Sequence, residues 1–133
     1  MRVIDPKLCA EFRQPGPCGW CGRWCQRPEC AHVMAKGVGG GRQLDIRINL
    51  IPLGGPWECQ CHLAQHSALK RLKMPGGVIA DAPTQEQLLE KVAAREGVSV
   101  QQIKDACNEI LSLHRWQGRE AADEVLRRYG IAI

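Results

Sequence analysis

The sequence is short of the residues that usually fill a protein core. Phe12 is its one Phe and Tyr129 its one Tyr, against four Trp. No apolar run approaches the ~20 residues needed to span a bilayer, so no membrane partner is expected. The opening Met1-Arg2-Val3-Ile4-Asp5-Pro6-Lys7 lacks the apolar stretch of a secretory signal, and a cytoplasmic protein is expected. At 133 residues the chain is read as one domain, or one small domain with a helical appendage. Its 44% hydrophobic and 24% charged residues argue against disorder and fibrous repeats.

What the first half has instead is cysteine. Cys9, Cys18, Cys21, Cys25, Cys30, Cys59 and Cys61 all fall there, and only Cys107 lies beyond. In a reducing compartment paired cysteines signal metal more often than disulfides. Charge divides along the same line. Residues 1–76 carry 11 Lys and Arg against 5 Asp and Glu, and residues 77–133 carry 7 against 9. The cysteine-rich half is the basic one, which favours a polyanionic partner.

Local patterns set out the elements. Residues 1–17, with Pro6, Pro15, Gly16 and Pro17, read as an irregular lead-in. Glu29 to Ala35 reads as a strand, Gly37 to Gly41 as a loop, and Asp45 to Leu53 as a second strand. Cys59 to Lys73 carries helix formers until Pro75-Gly76-Gly77. In residues 77–133, capping boxes at Thr84-Gln85-Glu86-Gln87 and Ser99-Val100-Gln101-Gln102 start two helices. A third is expected from Arg119 to Tyr129.

Two constellations carry chemistry. Cys18-Gly-Trp-Cys21 is a CxxC, whose tight turn lets two thiolates share one tetrahedral Zn²⁺. Its partner pair is Cys59-Gln-Cys61, with one residue between instead of the usual two; Cys25 or Cys30 could replace either member. A structural zinc is expected there. Separately, His62 and His66 stand at i and i+4 on the expected helix, which presents both imidazoles to one ion. His32 lies upstream, just before the glycine loop.

The succession Glu29-Cys-Ala-His32-Val33, Gly37-Val-Gly-Gly40, Asn49-Leu-Ile-Pro-Leu53 and Cys61-His-Leu-Ala-Gln-His66 resembles the HNH endonucleases. The resemblance covers about Cys18 to Met74. It implies an α+β fold: a small zinc-stapled ββα-metal core at 18–76, with a C-terminal three-helix extension at 77–133. It also implies roles. His32 takes the place of the general base, its imidazole suited to accept a proton from water near neutrality. Asn49 orients that base. His62 and His66 hold a catalytic divalent ion such as Mg²⁺, Mn²⁺ or Ni²⁺, which stabilises charge on the scissile phosphate and leaving 3′ oxygen.

The chain departs from the pattern at Ala31, where relatives place a further metal ligand. The ion then rests on two His plus waters, or recruits Asp45 or Glu29, or the activity is weakened. Gly54-Gly-Pro-Trp-Glu58 is an insertion before the second cysteine pair. Lys36, Arg42 and Arg47 are candidate phosphate contacts, with solvated loop charge as the alternative. Trp20, Trp24 and Trp57 are expected to pack around the zinc. Residues 93–103 resemble a helix-turn-helix that would aim Gln101, Gln102 and Lys104 at a DNA groove, but acidic neighbours favour a packed hairpin. The leading expectation is a metal-dependent endonuclease acting on DNA. The alternative is a non-catalytic, zinc-stapled nucleic-acid-binding module.

Overall fold

The structure, a computed structural model, describes residues 1–34, 43–66, 71–73 and 79–133. Among these, five α-helices and three two-stranded antiparallel ribbons make a mixed α and β fold. Inside the expected irregular lead-in, Pro6–Glu11 forms α1. Asp5 caps it by accepting from the Leu8 amide, and Pro6 opens the first turn, where no intrahelical N–H is needed. β1 (Gly16–Pro17) pairs with β2 (Trp24–Cys25), closing the loop that holds Cys18 and Cys21.

The central ribbon joins β3 (Glu29–His32) to β4 (Leu50–Leu53), with Ala31 opposite Ile51 and His32 opposite Leu50. The second expected strand is only half a strand. Arg47–Asn49 is a 3₁₀ turn, and β4 begins after it. The cause is burial on more than one side: Ile46, Ile48, Asn49, Leu50 and Ile51 are all buried, which strict alternation cannot achieve. α3 and α4 pack on that turn.

α2 spans Cys61–His66, shorter than the expected helix to Lys73. Arg71–Lys73 is instead β5, paired with β6 (Ile79–Asp81). The Pro and Gly residues expected to stop a helix stand in sequence between these two strands. The glycine-rich stretch with Lys36 and Arg42 lies outside the described residues.

The C-terminal helices follow their local signals. α3 (Gln85–Glu96) and α4 (Val100–Ser112) each begin with a complete capping box, and Gly97 ends α3 in the left-handed region. α5 spans Gly118–Arg128. Leu88, Leu89 and Val92, Ile103 and Ile110, and Val125 and Leu126 share one buried cluster with Ile46, Ile48 and Leu53. Arg95 fastens α3 to the ribbon: it donates to the Leu50 carbonyl at 2.8 Å and the Arg47 carbonyl at 2.6 Å. Its guanidinium lies 5.1 Å from the Phe12 ring centre. Gln102 donates to the Tyr129 carbonyl, Gln101 to Asp105, and Lys104 pairs with Glu86. All three side chains of the helix-turn-helix reading are thus engaged within the chain, as in a packed hairpin.

Candidate functional site

Four cysteines from two segments converge. The sulfurs of Cys18, Cys21, Cys59 and Cys61 all lie within 4.8 Å of one another. A zinc ion with Zn–S bonds near 2.3 Å would set its tetrahedral sulfurs roughly 3.8 Å apart, so this group could hold a metal such as zinc. The CxxC turn is tied to β4 by the Gly19 amide, which donates to the Pro52 carbonyl at 2.7 Å. A Cβ on Gly19 would stand 2.5 Å from the Ile51 side chain, so only glycine allows this approach.

The short Cys59-Gln-Cys61 spacing is resolved by one backbone torsion. Gln60 has φ of 64°, a left-handed turn that brings both flanking thiols to one point. Gly54 makes room for them, since a Cβ there would lie 2.2 Å from the Cys59 sulfur. Within the cluster, the Cys61 thiol donates to Cys18, and the backbone amides of Cys21, Gly54 and Trp20 add to it. Against the cost of burial, these lower the Cys18 thiol to about 4. The shared hydrogen bond raises Cys61 in turn, and burial raises Cys21. Cys25 is fully buried beside Cys59 but outside the group of four, and burial pushes its thiol up to about 12. Cys30 packs near Cys9 instead.

Trp24 and Trp57, expected around this cluster, are exposed at 66% and 95%. Trp20 is partly buried against the core, with the Lys91 ammonium 5.8 Å from its ring. The insertion carrying Trp57 has a local use: the Glu58 carboxylate accepts from the amides of Gln26 and Arg27 at 2.7 and 2.9 Å.

The histidines come from the end of β3 and from α2, the helix that Cys61 opens. His32, 8% exposed, ends the strand, with Nε2 2.6 Å from Asp45 Oδ1. Burial would raise the Asp45 carboxyl, but His32, the Asp5 amide and Gln43 outweigh it and hold the group below its ordinary value. Asn49, fully buried, bridges the segments around His32. Its oxygen accepts from the Met34 amide at 2.8 Å and its nitrogen donates to the Leu44 carbonyl at 3.0 Å.

On α2, the Nε2 atoms of His62 and His66 are 3.2 Å apart, and His62 Nδ1 lies 3.0 Å from Glu29 Oε1. His32, Val33, Gln65, His66, Pro83 and Gln85 line one cleft of about 210 Å³. Gln65 donates to the His32 carbonyl at 2.8 Å, which ties α2 to the end of β3. Among the described residues, His62 and His66 are not joined at one point by a third acidic, histidine or cysteine ligand. Ala31 is fully buried.

Of the two carboxylates expected as substitute ligands, Asp45 meets His32 and Glu29 meets His62. Arg47 is paired with Glu11 at 2.8 Å. Sequence reading missed Cys9, whose ligand atom gathers with those of His32 and Asp45, all three buried. The helix-start signal Asp5-Pro6 was its available clue, because it places Cys9 on α1. Comparisons with family models, curated proteins and solved structures find no match to this chain. Among the described residues, no helix is long and apolar enough to cross a membrane.

Proposed function

We propose that this chain is a metal-dependent endonuclease of the HNH type that hydrolyses DNA phosphodiester bonds, stapled by zinc at Cys18, Cys21, Cys59 and Cys61. One observation carries the reading: His32 and His66, distant in sequence, line the same cleft, and Asn49 fastens the segment that follows His32.

The donor sets fit the two metals. Four converging sulfurs, with backbone amides directed at one of them, suit zinc. For the catalytic ion, a carboxylate on His62 Nδ1 favours the tautomer with its proton there and leaves Nε2 as ligand. Metal–nitrogen bonds of about 2.0–2.1 Å place neighbouring imidazole nitrogens roughly 2.9–3.4 Å apart, and the 3.2 Å separation of His62 and His66 falls in that range. When bound, a divalent ion supplies stabilisation for charge on the scissile phosphate and the leaving 3′ oxygen.

The residues of the chain do the proton chemistry. Asp45, held anionic, favours the His32 tautomer with its proton on Nε2. Nδ1 is then the nitrogen that accepts a proton from water, and the carboxylate stabilises the imidazolium so formed. Asn49 and Gln65 keep the end of β3 and α2 in register, so the base and His66 stay on one cleft. The basic balance of residues 1–76 supports a DNA partner.

Ala31, which has no donor atom at the position where the HNH endonucleases place a metal ligand, favours a second reading, a zinc-stapled nucleic-acid-binding module without catalysis. Supercoiled plasmid incubated with Mg²⁺, Mn²⁺ or Ni²⁺ separates the two. Nicking supports the endonuclease, and retarded but intact plasmid supports the module.

A further inference from the structure

We propose that Cys9, His32 and Asp45 form a third, buried binding site for a divalent transition-metal ion of Zn²⁺ or Co²⁺ character, separate from the four-cysteine cluster and from His62 and His66. The three come from different parts of the chain: α1, the end of β3, and the segment before the 3₁₀ turn. All three are buried, and their ligand atoms lie within 4.8 Å of one another.

Charge favours an ion here. One thiolate and one carboxylate neutralise a divalent cation, and neutral imidazole completes an uncharged unit suited to a buried place. The outer contacts are also built. Asp45 Oδ2 accepts from the Asp5 amide at 2.8 Å and Oδ1 from Gln43 at 3.0 Å, which fixes the carboxylate. The Cys30 thiol hydrogen-bonds Cys9, so it can donate to the Cys9 sulfur once that sulfur is a thiolate. His32 borders the cleft it shares with His66, which gives an ion a way in. A mixed S, N and O donor set selects borderline ions over Mg²⁺, so cleavage driven by Mg²⁺ would leave this site empty.

The proton balance is simple. As the Cys9 sulfur coordinates, its S–H bond breaks and one proton leaves to solvent. The His32 proton moves from Nε2 to Nδ1, and the metal takes the place of the hydrogen bond between Nε2 and Asp45. Nδ1 then carries a proton and cannot accept another. On the endonuclease reading, occupancy of this site therefore silences the base.

The test adds Co²⁺ to the full chain carrying zinc in its four-cysteine cluster. The expected result is one further equivalent with thiolate-to-cobalt charge-transfer absorption, and cobalt-edge X-ray absorption showing one sulfur among nitrogen and oxygen donors. Cys9→Ser should weaken that uptake at least about tenfold, and His66→Ala should leave the absorption in place. Nitrogen and oxygen donors alone, several sulfurs, or absorption undiminished in a folded Cys9→Ser protein would each overturn the proposal. If Cys9→Ser does not fold, the wild-type donor count decides. Excess Zn²⁺ should also stop Mg²⁺-driven nicking over the concentration range in which it displaces this cobalt. If no condition gives nicking, the endonuclease reading fails, while the cobalt spectrum still decides this site.

Discussion

His32 Nε2 and Asp45 Oδ1 lie 2.6 Å apart, both residues buried, at the point where β3 leaves the central ribbon. The pair does for an imidazole what a lone surface histidine cannot: it selects one tautomer and holds one ring orientation. His32→Ala should abolish plasmid nicking, a loss of about 10²- to 10⁴-fold, while gel retardation of DNA stays nearly intact. Asp45→Asn should lower the nicking rate and spare DNA retardation. Equal loss of binding and cleavage in both variants would make the pair structural.

The four-cysteine cluster should keep about one zinc per chain through purification, because four thiols from two segments converge on one point where they could close on a single ion. Cys61→Ser should lose the metal and lower the melting temperature. Cys25→Ser should keep the metal, since Cys25 stands beside the group and not in it. Gly54→Ala should behave like the Cys61 variant, because its new methyl would occupy the place of the Cys59 sulfur. Elemental analysis finding no zinc in folded wild-type protein would remove the staple.

On the proposed endonuclease reading, the ion at His62 and His66 should be the looser of the two metals. Mild EDTA should stop nicking before it unfolds the protein, and added Mn²⁺ should restore it. His66→Ala should raise the metal concentration for half-maximal activity, and Glu29→Ala should raise it about 10- to 100-fold by freeing His62 Nδ1. Ala31→Asp should not supply a missing ligand. Ala31 is fully buried, so a carboxylate there is forced out of water and the fold should weaken, read as a lower melting temperature. Tighter metal dependence in Ala31→Asp would show that the ligand set is built differently.

Alkaline pH should act through Cys107. Burial pushes its thiol from 9.0 up to about 12. The unfolded chain loses this proton above about pH 9 while the folded chain keeps it, so stability is fully present below that pH and falls as pH rises toward 12. Between about pH 8 and about pH 10.5 the loss approaches roughly 2 kcal/mol, at about 1.4 kcal/mol per unit. Urea unfolding of wild type and Cys107→Ala should show their stability difference shrinking by that amount. A constant difference would contradict it.

Much of the fold is legible in short windows. Thr84 with Gln87, and Ser99 with Gln102, start α3 and α4 where their spacing says, because each cap bonds within one turn of chain. The CxxC is equally local. Cys59 and Cys61 are harder to read, because their one-residue spacing works only with Gln60 in the left-handed region, which the residue type does not announce. α1 could be read from Asp5-Pro6, but the surrounding Pro and Gly argue against a helix.

The sequence alone determined which residues have donor atoms at metal-ligand spacing: the CxxC at Cys18 and Cys21, the Cys59 and Cys61 pair, and His62 and His66 four residues apart. It also determined the three C-terminal helices, since hydrogen bonds that span three or four residues follow from local order. Only the tertiary structure decided that Asp45 and Glu29, alternatives for one ion in the sequence, serve His32 and His62 separately. It also decided that Cys9 joins His32, that Arg71–Lys73 is strand, and that Asp45 to Leu53 turns midway. Those outcomes depend on strand register and on burial on several sides at once, and neither is a property of a short window of chain.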